Sequence, residues 1–222
     1  VAKFIKSGNK VLEVGAGQLS NTRHIAELFP DVSFTALDLP NRNFLKNKVP
    51  ENVTLIECYY HDLMNLEDNS FDVIFGVETI CHSQNKQLVV SEIMKKLKPG
   101  GTFISFDVFE PKPRSKMSDF EKRISSITLA GMRVTDLDQC IGDFKKYLEE
   151  AGAKDIEITD LTENIMPNLK RLAKISRLYY THPLLLRVLK TILDEDVTIN
   201  SIAGLLMDLT FDGKNIHAYY RV

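Results

Sequence analysis

The stretch KVLEVGAGQLS (Lys10–Ser20) places a short apolar run, Val11-Leu12-Glu13-Val14, directly before two glycines, Gly15 and Gly17. Helical spacing follows from Asn21 to Phe29 and stops at Pro30, so the segment reads as a strand, a tight turn and a helix. A strand-to-helix turn exposes unpaired N–H groups, and glycines let a ligand approach the backbone closely. A dinucleotide pyrophosphate uses such a turn behind a G-x-G-x-x-G pattern, but the third position here is Ser20, so that match is incomplete. Glu13 stands two residues before Gly15, where a carboxylate repels pyrophosphate and suits an ammonium group.

Outward from the turn, strand-like and helix-like segments alternate. VSFTALDLP (32–40), NVTLIECYY (52–60), SFDVIFGVE (70–78) and GTFISFDVF (101–109) read as strands two to five. Leu88, Val89, Ile93 and Leu97 mark an amphipathic helix that ends at Lys98-Pro99-Gly100-Gly101. A further helix is expected to start at Thr135–Asp138 with Leu137, Ile141, Phe144 and Leu148 as its buried stripe, and to end at Gly152. AKDIEITDLT (153–162) reads as a sixth strand and NIHAYYRV (215–222) as a seventh. The expected fold is α/β, a Rossmann-like, mostly parallel seven-stranded sheet with helices on both faces.

Residues 162–212 read as a helical insertion between the last two strands. Leu169, Leu172, Ser176 and Tyr179 share one face, Pro183 suits a first helical turn, and Ile199, Ile202, Leu206 and Leu209 form another stripe. The insertion serves as a lid, as an association surface giving a homodimer, or as extra core. The cofactor-binding domain is accordingly 1–161 with 213–222.

Composition narrows the classes. The 222 residues, 44% hydrophobic and 26% charged, can bury a full core. A net charge of -2 with scattered Lys and Arg supplies no basic field for nucleic acid. Cys58, Cys81 and Cys140 form neither a disulfide framework nor a zinc site, and His24, His61, His182 and His217 lack metal-ligand spacing, so no metal and a reducing cytoplasmic setting are expected. No apolar stretch suits a bilayer span, which argues against integral membrane association. The first residues lack a signal-peptide profile, and the chain opens on Val1, which leaves an upstream segment open.

S-adenosylmethionine carries the ammonium group that Glu13 suits, and its ribose needs an acid such as Asp38, about twenty residues past the turn at the end of the second strand. The ordered set VLEVGAG, FTALDL, NSFDVIFGVE and LKPGG resembles the class I S-adenosylmethionine-dependent methyltransferases. GVETICHS followed by LKPGG, and the helical segment opening DLTENIMPNLKRL, are similar to the branch of sterol and small-molecule natural-product methyltransferases. The resemblance implies that Glu13, Gly15, Ala16 and Gly17 line the methionine end of S-adenosyl-L-methionine, and that Asp38 and Leu39 take the ribose and adenine. Tyr60, His61, Asp62 and Leu63 then meet the far edge of adenine, with Val77 at the end of the fourth strand beside the cofactor. Two departures stand out: Leu19 replaces the third motif glycine, and the acid of the adenine stretch falls on Tyr60, leaving Asp62 two residues late.

Methyl transfer is an in-line displacement from an activated sulfonium, so positioning supplies most of the acceleration, and a base is needed only where the acceptor has a proton to lose. The resemblance implies His82 as that base, with Asp107 or Glu78 orienting it; Glu78 alternatively holds the cofactor's charged end. The expected reaction is O- or C-methylation of a small, lipid-like or polyketide-like acceptor received among apolar residues such as Leu184, Leu185, Leu186, Leu205, Leu206 and Met207. The competing readings are a protein side-chain methyltransferase and a catalytically silent cofactor-binding partner subunit.

Overall fold

The computed structural model describes residues 1–40, 49–135, 139–192, 195–211 and 216–222. Its strands are β1 (Lys10–Val14), β2 (Ser33–Asp38), β3 (Val53–Glu57), β4 (Phe71–Val77), β5 (Leu97–Phe109), β6 (Thr159–Asp160) and β7 (Ala218–Arg221). The helices are α1 (Ser20–Leu28), α2 (Lys86–Lys96), α3 (Asp119–Gly131), α4 (Ile141–Glu150), α5 (Thr162–Thr181), α6 (Pro183–Ile192) and α7 (Glu195–Phe211). The sheet runs β3-β2-β1-β4-β5-β7-β6. The ladders β3-β2, β2-β1, β1-β4 and β4-β5 are parallel, as continuous apolar runs buried on both faces require. Ser105 and Val222 exchange both backbone hydrogen bonds at 2.9 Å, the signature of an antiparallel closing strand.

Two compact units divide the chain. The first, Val1–Asp107 with Lys145–Ile158 and Arg221–Val222, is built on β1 to β4. Val11, Phe34, Val73, Phe75 and Ile104 form its core with Ala26 of α1, all at most 3% exposed. The strand order reverses at β1, whose two sides carry β2 and β4. A crevice opens at such a point, beyond the carboxyl ends of the strands.

The second unit, Val108–Phe144 with Thr159–Tyr220, is mainly helical. α7 packs on both α3 and α5, so the helices of 162–212 share their unit with α3. A Cβ on Gly131 would come within 2.7 Å of Ala203 N, and one on Gly204 within 2.1 Å of Ser176 Oγ, which explains two small residues at these crossings. This unit also seals in a polar cluster. Glu110 Oε1 accepts from Arg114 Nη1 (2.8 Å) and Ser125 Oγ (2.6 Å), and Ser125 Oγ lies 3.0 Å from His217 Nε2.

Several expected boundaries move. β5 begins at Leu97, which therefore leaves the stripe of α2; Val89, Val90 and Ile93 are buried there while Leu88 is 40% exposed. The sixth strand shrinks to Thr159–Asp160, and Asp155, at φ +54°, interrupts the expected extended run at its third residue. On α5 the buried face is Met166, Leu169, Ala173 and Ser176, with Leu172 turned out. On α7 the buried stripe is Ala203, Met207 and Thr210, one residue on from the expected one. Asp136–Asp138 at the expected helix start, including Leu137, lie outside the described residues, as do the side chains of Tyr179, Leu185, Leu186 and Ile199. Pro183 does open α6.

Candidate functional site

The turn after β1 is left-handed at three residues: Gly15 (φ +70°), Gly17 (φ +53°) and Leu19 (φ +63°). The two glycines differ in their surroundings. A Cβ on Gly15 would lie 1.9 Å from Thr79 Oγ1 and 2.6 Å from Thr79 Cβ, so the protein itself fills that space. A Cβ on Gly17 meets nothing within 4 Å, so the bare backbone there faces open space. Leu19, in place of the third motif glycine, points inward, 1% exposed, into a cluster with Ala16 and Ala36.

Two carboxylates hold this turn. Asp38, at the end of β2 and 9% exposed, accepts from Gly17 N–H (2.5 Å) and from Leu39 N–H (2.7 Å). Ala16 N–H donates to Leu37 O at 2.9 Å, so the turn is tied to β2 by two bonds. Glu13 is 1% exposed and lies at the start of α1. It accepts from Asn21 Nδ2 (3.1 Å), Thr22 N–H (3.1 Å) and the Thr22 hydroxyl. Unpaired N–H groups at a helix start favour such an anion. Burial raises the Glu13 pKa to about 6, aided by the Asp38 charge and opposed by the Thr22 and Asn21 hydrogen bonds. The Glu13 oxygens are thus engaged with the first turn of α1, directly beside the glycine turn.

After β3, Tyr60 and His61 stack with ring centroids 4.8 Å apart. The Tyr60 hydroxyl reaches Thr79 O (3.4 Å), and burial pushes its pKa up to about 12. His61 Nε2 lies 2.9 Å from the Oγ of buried Ser83. Asp62 accepts from Met64 N–H at 3.2 Å, and Leu63 is fully buried. Tyr60 and His61 thus touch the segment after β4, while Leu63 N–H points to Glu92 Oε2 of α2 at 3.4 Å.

Beyond β4, whose last residue Val77 is half-buried, comes Glu78, exposed and left-handed at φ +51°, with its N–H on Phe106 O (2.8 Å). A 3-10 turn, Ile80–His82, follows. Asp107 sits under that turn, fully buried, and its Oδ2 accepts from the N–H groups of Thr79 (3.1 Å), Ile80 (2.7 Å) and Cys81 (3.3 Å). Asp107 therefore fixes the backbone that carries His82. His82 itself is exposed, with its N–H on Thr79 O (3.2 Å). Burial, then the Asp107 charge, drives the Cys81 thiol well above its usual pKa, which keeps it protonated and unreactive.

Residues that sequence reasoning missed are Thr79, which packs over Gly15 and Gly76, and Ser83, which holds His61. Neither belongs to a motif, and only the register of β1 beside β4 puts Thr79 against the turn.

A glycine turn, an acid at the end of β2 and a histidine after β4 meet at one carboxyl edge, and residues 12–105 match a family described as a methyltransferase domain. The matched segment, from β1 to the middle of β5, carries the methyltransferase-domain pattern. The chain is 31% identical over 172 residues to phosphoethanolamine N-methyltransferase 1 of Arabidopsis thaliana, across 75% of the chain and 33% of the relative. To the O-methyltransferase cnsE of Penicillium expansum it is 26% identical over 171 residues, across 73% of the chain and 58% of the relative. A solved structure of Haemonchus contortus phosphoethanolamine N-methyltransferase 2, in complex with phosphomonomethylethanolamine and S-adenosylhomocysteine, superposes with a TM-score of 0.71. It is 19% identical and covers 99% of this chain and 49% of its own, so it speaks for the fold. The chain thus spans between a third and about half the length of these phosphoethanolamine enzymes.

Proposed function

We propose that this methyltransferase binds S-adenosyl-L-methionine at the turn between β1 and α1 and transfers its methyl group to a small-molecule acceptor. The observation that carries the reading is the open space in front of Gly17, whose N–H is held by Asp38 at the reversal point of the sheet. In this reading Gly15, Ala16 and Gly17 border the methionine portion and Glu13 supplies negative potential behind it. Asp38 exchanges its bond to the turn for the ribose hydroxyls, with Leu39 beside them. Tyr60, His61, Asp62 and Leu63 flank the adenine, and Val77 and Glu78 lie beside the sulfonium end.

The residues fit such a cofactor in charge: two acids next to bare backbone favour a cation-bearing tail and disfavour a pyrophosphate. The bound cofactor supplies an electrophilic methyl group. His82 takes a proton from the acceptor, an amine or a hydroxyl, while Asp107 keeps its turn in place. The likeness to phosphoethanolamine and O-methyltransferases supports nitrogen and oxygen acceptors together. Residues 1–161 with 213–222 form the cofactor portion of this proposal, and 162–212 the portion that adapts to the acceptor.

Calorimetric titration with S-adenosylmethionine and S-adenosylhomocysteine, followed by labelled methyl transfer to a panel holding phosphoethanolamine, a fatty acid and a peptide mixture, tests the reading. Binding with transfer to a small acceptor supports it. Transfer only to peptides points to a protein methyltransferase, binding without transfer to a silent partner subunit, and no heat with either cofactor form refutes the site.

A further inference from the structure

The chain as a whole carries a net charge of -2, yet its charge is not evenly spread. From Thr162 to Ile192, the length of α5 and α6, six Lys and Arg residues stand against one acid, Glu163. The same two helices hold most of the exposed large apolar side chains of the second unit. On α5 the buried face of Met166, Leu169, Ala173 and Ser176 leaves Leu172, Ile175 and Leu178 outward, 42%, 52% and 51% exposed. Helical spacing puts Arg171 and Lys174, both exposed, among those three. On α6, Leu184, Val188 and Ile192 repeat every four residues along one stripe, 80%, 55% and 72% exposed, with exposed Arg187 beside it.

A solvated helix face carries charges of both signs and few large apolar groups, whereas this face carries apolar side chains and cations. That pairing is the composition of a helix lying in a lipid interface, where apolar side chains enter the acyl boundary and Lys and Arg meet anionic headgroups. No helix among the described residues is long and apolar enough to cross a membrane. We propose that the outward faces of α5 and α6 dock this methyltransferase onto the surface of an anionic lipid bilayer. A second copy of the chain is the poorer occupant. A two-fold contact through this face would bring the Arg171, Lys174 and Arg187 of both copies into one interface, and like charges across an interface are strongly unfavourable. The proposal is independent of the cofactor reading.

The test is flotation of the full chain with vesicles of phosphatidylcholine alone, and with vesicles in which roughly one lipid in three is phosphatidylserine. Floating with the anionic vesicles, and far less with the neutral ones, is the expected result. Arg171→Gln with Lys174→Gln should weaken partitioning about thirtyfold, about fivefold for each cation removed. The triple variant Leu184→Ser, Val188→Ser, Ile192→Ser should lose about tenfold or more, most visibly in salt that screens the charges. All five positions are exposed, so unchanged circular dichroism and thermal melting identify the variants as folded. Equal flotation on both vesicles, or none on the anionic ones, overturns the proposal. So does a dimer in sedimentation that the triple variant splits, since the face is then a contact between copies.

Discussion

Substituting the two glycines of the turn separately distinguishes a structural space from a ligand space. Both have positive φ, so an alanine at either position incurs a backbone cost of about 1–2 kcal/mol. Gly15→Ala adds a methyl 1.9 Å from Thr79 Oγ1 and 2.6 Å from Thr79 Cβ. Thr79 is 6% exposed and its backbone is held by Asp107, so it cannot swing away, and overpacking adds about 1–3 kcal/mol. Gly15→Ala is therefore expected to lose about 2–5 kcal/mol in denaturant unfolding, and Gly17→Ala only the backbone share of about 1–2 kcal/mol. The order reverses for the cofactor. The Gly17 methyl projects into open space where the proposed ligand lies, and S-adenosylhomocysteine affinity should fall about tenfold or more, at least 1.4 kcal/mol. A double-mutant cycle of Gly15→Ala with Thr79→Gly should recover a coupling energy of about 1–3 kcal/mol. Gly17→Ala binding S-adenosylhomocysteine as tightly as the parent chain would falsify the seat, and equal stability of the two single variants would remove Thr79 as the reason for Gly15.

The remaining expectations concern charge and turnover. With the Glu13 pKa raised from 4.5 to about 6, its protonated form favours the folded state below about 4.5, and that contribution, about 2 kcal/mol, is lost as pH rises through 6. Glu13→Gln should therefore gain about 2 kcal/mol relative to the parent chain between pH 4.5 and 7 in unfolding titrations; a constant gap refutes the buried-acid account. His217 acts in the opposite sense: burial, then the Arg114 charge, lowers its pKa from 6.5 to about 4, so stability present above 6.5 is lost as pH falls toward 4. His217→Phe should flatten that acid limb by about 3 kcal/mol, and an unaltered limb counts against it. His82→Ala, with cofactor affinity retained, should reduce turnover about a hundredfold or more if His82 is the base, whereas an unchanged rate removes it from the chemistry. Asp107→Asn should cost about 1.5–3 kcal/mol of stability by weakening three backbone bonds, read by thermal melting.

Sequence was most informative where a physical pattern has one solution. β1, β2 and β4 are mainly apolar, interrupted by Glu13, Thr35 and Asp72, because both sheet faces are covered, and their ends were legible to within about two residues. α7 had no such uniqueness: Ile202, Leu205, Leu206, Met207 and Leu209 are apolar almost all round, so periodicity cannot set the phase of the helix. Its phase is set instead by α3 and α5, which press against Ala203 and Gly204, residues too small to weigh in a hydropathy pattern. Alternation of Ile156, Ile158 and their polar neighbours imitates a strand, and the positive φ of Asp155 just before it has no sequence marker beyond an Asp able to adopt it. In the site, the positions of Glu13 and Asp38 were legible from spacing, but their partners were not. Those partners are mostly backbone N–H groups, which every sequence possesses, joined by the Asn21 amide and the Thr22 hydroxyl at the start of α1.

That difference changes how the turn's selectivity is understood. A carboxylate free to form an ion pair would choose a ligand by contact, but Glu13 is 1% exposed and bound to Thr22 and Asn21, while Asp38 fastens Gly17 and Leu39. Both charges lie close enough that Asp38 helps raise the Glu13 pKa, so the pair acts as a fixed negative field behind an open peptide bend. Such a field disfavours the pyrophosphate that Rossmann turns otherwise accept at a helix N-terminus, and favours a ligand whose tail carries an ammonium and whose centre is a sulfonium. Binding such a cation must lower the Glu13 pKa in return, because linkage is reciprocal. Near pH 6 cofactor uptake should therefore release a proton, and calorimetric enthalpies should differ between buffers of different ionisation heat. The same enthalpy in every buffer would mean that the field of Glu13 does not reach the ligand, and the glycine turn alone would then have to account for the choice of cofactor.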